Sequence, residues 1–168
     1  MKASFDPKFA LFRAKDAESF EESGLMSVGE MSETVIEGST RLAKEGYEAG
    51  HQLKLLFAMP GMSLTHVWFK SGFPLPRHSH DADCLYYIIA GNLRIGTEEL
   101  GAGDGFYVGS DVPYAYTPGD QGVELLEFRS SNAFDIKLLA NNPAFWERAA
   151  DTVRAKKDVW PDEAMPGK

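Results

Sequence analysis

The residue types best suited to chemistry lie close together in the middle of the chain. His78 and His80 are separated by a single residue, and Cys84, the only cysteine, follows shortly after them. If the histidines lie in an extended strand, their side chains share one face and their Cβ atoms are about 7 Å apart. Two imidazoles at that spacing can bind one ion, although two ligands alone make a weak and poorly selective site. The pair therefore predicts part of a divalent-metal site.

Cys84 has two interpretations. As a thiolate it would be a soft third metal ligand that favours zinc or copper. As a neutral thiol it would be a small apolar side chain that fills part of a core, which is the common role of a buried cysteine. Asp81 and Asp83 are typical of a turn, and either one is also a candidate carboxylate ligand. The sequence leaves these alternatives open.

Short β-rich segments surround this cluster. From about residue 51 onward, aliphatic and aromatic runs are interrupted at close intervals by Gly, Pro, Asp and Asn, which is typical of a β-sandwich or barrel. A tight hairpin turn is predicted at Ala90-Gly91-Asn92, because Gly and Asn accept a positive φ at little cost. The predicted strands cover residues 51–59, 63–71, 84–91, 92–100, 103–109, 114–119 and 123–130.

A helix is predicted near the C-terminus. Asn142 suits the N-cap and Pro143 the first helical position, and three cations follow in the last turn. An apolar stripe at helical spacing consists of Trp146, Ala149, Ala150 and Val153. This stripe would pack on the outside of the barrel or form a subunit contact.

The chain length and the pattern of its segments predict one domain in three parts. A length of 168 residues is enough for a hydrophobic core that needs no disulfide or metal. The first 50 residues show few strong strand or helix patterns. We therefore expect an N-terminal arm at residues 1–50, a β-barrel at 51–131 and a C-terminal helical extension at 132–168.

The charge balance excludes two classes of partner. The sequence has 17 Lys and Arg against 25 Asp and Glu, a formal net charge of -8. This charge repels nucleic acid and anionic lipid, so we expect neither as a partner. A single cysteine forms no internal disulfide, and neither a signal-like segment nor an apolar run of about 20 residues is present. The sequence therefore predicts a cytoplasmic protein.

The histidine cluster resembles the first motif of the cupin superfamily, G-x5-H-x-H-x3-E-x6-G. Gly72, His78, His80 and Gly91 occupy the motif positions at the right spacing, and Cys84 replaces the glutamate. The resemblance extends over about residues 53–129. It implies an all-β fold, a single cupin-type double-stranded β-helix or jelly-roll barrel, which here carries the N-terminal arm and the C-terminal α-helix.

A second cupin motif, G-x5-P-x-G-x2-H, is similar to the segment 103–114 at its first glycine only. Gly109, Asp111 and Tyr114 stand where the family has proline, glycine and the last histidine. In the family, three histidines and the glutamate hold iron, manganese, nickel or zinc. The resemblance thus implies a metal site with His78, His80 and Cys84 as candidate ligands. Tyr114 is instead expected to act as a hydrogen-bond donor or acid, because a phenol has a pKa near 10.

Four further residues are candidates for the lining of a substrate cavity. Tyr86 and Tyr116 have the strand parity of inward side chains, and could combine apolar contact with hydrogen bonding. His66 could point inward with Leu64 and Trp68 or be an ordinary strand histidine. Glu127 could be an inward acid-base group with a raised pKa, or a solvated outer carboxylate.

Two functions follow from these patterns. The first is a cupin that binds a divalent metal ion (iron, zinc, nickel or manganese) through His78 and His80 and acts on a small oxygenated or aromatic molecule, as a dioxygenase, isomerase or lyase. The second is a metal-free cupin that binds or senses a small molecule without catalysis. The apolar helix stripe and the arm also predict a homodimer.

Overall fold

The fold is that of a computed structural model, which describes residues 7–168. The strands are β1 Glu18–Ser19, β2 Met26–Val28, β3 His51–Met59, β4 Met62–Phe69, β5 His78–Ser79, β6 Cys84–Ile95, β7 Glu98–Gly101, β8 Gly105–Val108, β9 Thr117–Arg129 and β10 Phe134–Leu138. The helices are α1 Phe20–Ser23, α2 Glu33–Glu45 and α3 Pro143–Lys156, and short 3₁₀ helices lie at Ala14–Asp16, Tyr47–Gly50 and Trp160–Asp162.

Two sheets form the barrel. The larger has the strand order β1-β3-β4-β9-β6-β7, with β8 also paired to β6, and all of its pairs are antiparallel. In the smaller sheet, β10 lies between β2 and β5. Strands distant in sequence are neighbours, as in a jelly roll. The predicted all-β jelly-roll fold with a C-terminal helix is confirmed.

Side chains alternate between the interior and the exterior along the two longest strands. On β6, Tyr86 is 1% exposed, whereas Tyr87 is 52% exposed. On β9, Glu127 and Arg129 are buried, and Phe128 between them is exposed. This alternation follows from the period of two in a strand. It brings a carboxylate and a guanidinium into the barrel from the same strand.

The predicted hairpin at Ala90-Gly91-Asn92 is wrong, because β6 continues through these residues. Its pairing with β9 changes register on both sides of Gly91, which has a φ of 74°. A Cβ at this position would collide with the carbonyl oxygen of Gly122 on β9. Gly91 therefore permits an irregularity inside a long strand. The chain reverses between β6 and β7 instead, at Gly96.

The N-terminal segment contains a well-capped helix that its pattern did not predict. The Ser32 side chain accepts a hydrogen bond from the Val35 N–H, and Gly46 ends α2 in the left-handed conformation. The helix packs against α3 where Gly38 faces the indole ring of Trp146. The absence of a side chain at Gly38 lets the two helices approach closely.

The C-terminal helix is confirmed. It begins at Pro143, and the Asn142 side chain caps it by accepting a hydrogen bond from the Ala144 N–H. The whole predicted stripe is buried, namely Trp146, Ala149, Ala150 and Val153. It joins the main core, so the stripe contributes to the fold of this chain.

The division into arm, barrel and extension stays a prediction, and residues 1–6 of the arm lie outside the described residues. Strand pairing continues past residue 131 through β10. Within residues 7–168, no helix has the length and apolar character needed to cross a bilayer.

Replacing Gly38 by Ala should destabilise the protein. A methyl group there would overlap the Trp146 indole, and overpacking of a core costs about 1–3 kcal/mol, which exceeds the gain of about 1 kcal/mol in helix propensity. We expect urea denaturation to show a free energy of unfolding lower by up to about 2 kcal/mol. Thr40→Ala, at an exposed position of the same helix, is the control and should be neutral or slightly stabilising. A Gly38→Ala variant as stable as the control would contradict the described helix contact.

Candidate functional site

A cavity of about 350 Å³ is lined by residues of β5, β9 and β10 from the barrel and by residues of α2. Much of its wall is apolar, with contributions from Phe20, Met26, Leu42, Leu53, Leu75 and Leu138. Four polar side chains share one part of the wall, namely His78, His80, Glu127 and Arg129. Known ligand pockets have volumes of about 300–1,000 Å³ and combine an apolar wall with a few convergent polar groups. The cavity has both properties.

The two histidines are held by the backbone. In β5, His78 exchanges both main-chain hydrogen bonds with Tyr114, at N–O distances of 3.0 and 2.9 Å. His78 Nδ1 lies 2.8 Å from the carbonyl oxygen of Pro76, and His80 Nδ1 lies 2.7 Å from that of Asp135. Because a carbonyl oxygen only accepts, each Nδ1 carries the proton. Each Nε2 is therefore left with its lone pair, and the ring centroids are 5.1 Å apart.

Both imidazoles are neutral at pH 7. Burial lowers the pKa of His78 below its ordinary value. Burial, aided by the positive charge of Arg129, lowers the pKa of His80 to about 3. The polar part of the cavity therefore contains two uncharged hydrogen-bond acceptors from histidine.

Glu127 and Arg129 form a buried ion pair. Arg129 Nη1 lies 2.6 Å from Glu127 Oε2, and the two side chains are 3% and 8% exposed. Even at this distance the contact lacks hydrogen-bond geometry: neither Nε nor Nη1 of Arg129 has a hydrogen-bond partner in the described part of the chain. The guanidinium also lies 4.6 Å from the centroid of the Phe134 ring. The charge of Arg129 is thus balanced, whereas two of its donor nitrogens, Nε and Nη1, are unmatched among the described residues.

The three tyrosines lie deep in the barrel as neutral phenols. The hydroxyl groups of Tyr86 and Tyr114 are hydrogen-bonded to each other. Burial raises the pKa of Tyr86, Tyr114 and Tyr116 above the ordinary value. Tyr114 packs on the His78 ring, with centroids 4.4 Å apart, and Tyr116 lines the cavity. A phenolate at Tyr114 is therefore disfavoured.

Cys84 is a neutral thiol. It is 2% exposed, and burial raises the pKa of its thiol to about 12. Its sulfur lies 4.0 Å from the backbone oxygen of Leu85. These properties agree with a small apolar filler of the core and disfavour the thiolate that a metal ligand requires.

The structure does not bring His66 to the cavity. On β4 the buried inner residues are Ser63, Thr65 and Val67, so His66 lies on the opposite face. Its Nε2 is 2.7 Å from Glu124 Oε1, outside the set of residues that line the cavity.

Asp81 and Asp83 have structural partners. Asp81 Oδ1 accepts a hydrogen bond of 2.7 Å from the Asp135 N–H, and Asp83 Oδ1 accepts one of 2.8 Å from the Ser110 N–H. These hydrogen bonds connect the turn to β10 and to the loop after β8, which is a structural role expected of aspartates in a turn.

The residues present do not fit the metal centre that the cupin motifs imply. Within residues 7–168, no three His, Cys, Asp or Glu side chains are grouped so that they could hold a metal ion. His78 and His80 offer nitrogen lone pairs, but the two replaced motif positions carry a neutral thiol, Cys84, and a neutral phenol, Tyr114. No reaction step is therefore assigned to a metal ion.

Arg129 is the functional candidate that the sequence analysis missed. The signal for it was present, because Arg129 lies two residues after Glu127 and shares its strand face. Whether that face is inner or outer could not be decided from two charged residues in an apolar strand.

Comparison with known proteins supports the fold. No protein-family model matches the sequence, and neither does any curated protein. The polyketide cyclase RemF from Streptomyces resistomycificus matches with a TM-score of 0.51 and 16% identity, over 62% of this chain and 83% of its own. An RmlC-like cupin from Shewanella frigidimarina has a TM-score of 0.45 and 22% identity, over 49% of this chain and 78% of its own. The match with RemF shows that the two chains share a fold, and the jelly-roll barrel that the first motif predicts is the one observed.

Because folded His80 stays neutral, the free energy of unfolding should depend on pH. In the unfolded chain a histidine takes up a proton near pH 6.5, whereas in the folded protein His80 does so only at about pH 3. The contribution of neutral His80 to stability is thus fully present above pH 6.5 and is lost as the pH falls below that value. With a chelator present, the free energy of unfolding should fall between pH 7 and pH 5 by about 2 kcal/mol more in the wild type than in His80→Gln. Equal pH dependence of the two proteins would contradict the buried neutral imidazole.

Proposed function

We propose that this cupin binds a small organic molecule inside its barrel without requiring a metal ion. The observation that carries the proposal is the cavity of about 350 Å³ in which His78, His80, Glu127 and Arg129 face an otherwise largely apolar space. A cavity of about 150 Å³ lined by apolar side chains is known to hold benzene. The volume here suits a substituted aromatic ring or a small oxygenated molecule.

Energetics argue against a purely structural role for the polar groups. Transfer of a carboxylate and a guanidinium from water into a barrel costs several kcal/mol per ion, and apolar residues of similar size often serve stability as well or better. Glu127 and Arg129 are nevertheless both buried. Two histidines with unused nitrogen lone pairs lie on the same cavity. Such a combination is what a binding site needs to orient a ligand.

The arrangement supplies two kinds of contact. Arg129 offers hydrogen-bond donors, and the neutral imidazoles of His78 and His80 offer acceptors. The aliphatic side chains on β3 and β10 and the inner residues of α2 offer apolar contact. A ligand with one polar end and one apolar end would therefore bind in a defined orientation.

A second candidate function is metal binding through His78 and His80. In favour of it, each Nδ1 is bound to a backbone carbonyl, an arrangement that orients metal-binding histidines and leaves Nε2 available. Iron, zinc, nickel or manganese would then be the ion, and Cys84 would have to lose its proton to become a third ligand. On this hypothesis the protein would be an enzyme of the dioxygenase, isomerase or lyase type.

The expectation of a homodimer stays a prediction. The outer face of the larger sheet exposes four large side chains that are neighbours in the strand register, namely Leu85, Tyr87, Tyr107 and Phe128. The expectation of a cytoplasmic location likewise stays a prediction from the sequence.

A pair of variants on α2 tests the proposed function. Ser39 lines the cavity, whereas its neighbour Thr40 is exposed. Isothermal titration with toluene, phenol, acetophenone and benzoate, in chelator-treated protein, should detect binding of at least one of them. Ser39→Phe should weaken that binding at least tenfold by filling the cavity, and Thr40→Phe should leave it unchanged. Failure of all four compounds to bind, or equal binding to both variants, would overturn the proposal.

A further inference from the structure

Two hydrogen-bond donors of Arg129 are buried inside the barrel without an acceptor in the part of the chain that the structure describes. The side chain is 3% exposed and lines the cavity, yet its Nε and Nη1 have no hydrogen-bond acceptor among residues 7–168. Buried polar groups in native proteins nearly always have a partner, supplied by protein, water or ligand. The acceptor missing from the described protein groups is therefore expected from whatever occupies the cavity.

The charge of that occupant is constrained by the neighbours of Arg129. Glu127 already balances the guanidinium at 2.6 Å. The imidazoles of His78 and His80 are neutral and so add no positive charge. Among the described residues that line the cavity, no second lysine or arginine is available. A ligand carboxylate placed against Arg129 would therefore be repelled by Glu127, and no second cation would balance the added charge.

We propose, on the basis of the proposed function, that the ligand of this cavity presents an uncharged oxygen acceptor, a ketone, ester or amide carbonyl, to Arg129. Glu127 then acts as a specificity residue, because its carboxylate already neutralises the charge of Arg129 and repels a ligand carboxylate. A carbonyl oxygen accepts hydrogen bonds from the guanidinium and leaves the net charge of the site unchanged. The apolar remainder of the ligand contacts the aliphatic wall.

Three probes of similar shape separate the possibilities: acetophenone has a neutral carbonyl, benzoate has a carboxylate, and ethylbenzene has neither. In chelator-treated wild-type protein, acetophenone should bind at least about tenfold more tightly than ethylbenzene, because a hydrogen bond to a charged donor is gained. It should also bind at least about tenfold more tightly than benzoate. Isothermal titration measures all three dissociation constants under the same conditions.

Glu127→Gln is the decisive variant. It leaves Arg129 with an unbalanced charge, so the preference should move from acetophenone towards benzoate by at least about tenfold. The double variant Arg129→Met, Glu127→Leu removes both charges and leaves no hydrogen-bond donor at either position, and should bind acetophenone and ethylbenzene equally. Circular dichroism checks whether each variant is folded. The selectivity of the wild type tests the proposal even where a variant does not fold.

The outcomes distinguish this inference from the proposed function. Tighter binding of benzoate than of acetophenone to the wild type would overturn the inference, as would equal binding of acetophenone and ethylbenzene. In both cases cavity binding that Ser39→Phe abolishes would leave the proposed function intact. Failure of these three probes and also of toluene and phenol to bind would overturn both. An unchanged preference in folded Glu127→Gln would overturn the specificity role of Glu127.

Discussion

The ion pair of Glu127 and Arg129 is the interaction on which the other properties of the barrel interior depend. Both side chains are removed from water, so each relies on the other for electrostatic compensation. The charge of Arg129 helps to keep the nearby His80 in its neutral form. The charge of Glu127 adds to the effect of burial on the tyrosines and favours their neutral form. One pair of opposite charges is thus surrounded by groups that titrate outside the physiological range.

The fold creates this pair through strand alternation and closes the space above it with a helix. The inner positions of β9 deliver both charged groups, and Phe134 at the start of β10 lies against the guanidinium. The cavity extends from these groups towards α2, whose Ser39 and Leu42 form part of its wall. Close contact of Gly38 with Trp146 fixes α2 against α3. The packing of two terminal helices therefore determines the shape of a cavity in the central barrel.

The sequence predicted the features that depend on local periodicity or on short motifs. The C-terminal helix follows from Asn142, Pro143 and an apolar stripe, and the jelly-roll fold was predicted from the motif spacing around His78 and His80. Features that depend on distant contacts were not predicted. Gly91 resembles a turn residue, but its role is set by the approach of Gly122 from another strand.

The same distinction applies to the candidate site. The sequence identified His78, His80, Tyr116 and Glu127, which line the cavity, because their positions follow a motif or a strand face. The ionisation states of Cys84 and the tyrosines were not predictable, since they depend on burial that only the assembled barrel provides. The face of His66 could not be assigned, because both faces of β4 carry large apolar residues. Arg129 could not be identified as a cavity residue without knowing that its strand face is the inner one.

On the proposed function, an organic molecule, and not a metal ion, occupies the polar end of the barrel. Crystals grown without added metal or chelator and soaked in 4-bromoacetophenone would test it directly through anomalous diffraction above the bromine edge. We expect a bromine peak inside the barrel, with the carbonyl oxygen within hydrogen-bond distance of Arg129. An anomalous metal peak between His78 and His80, with bromine found only on the protein surface, would contradict it.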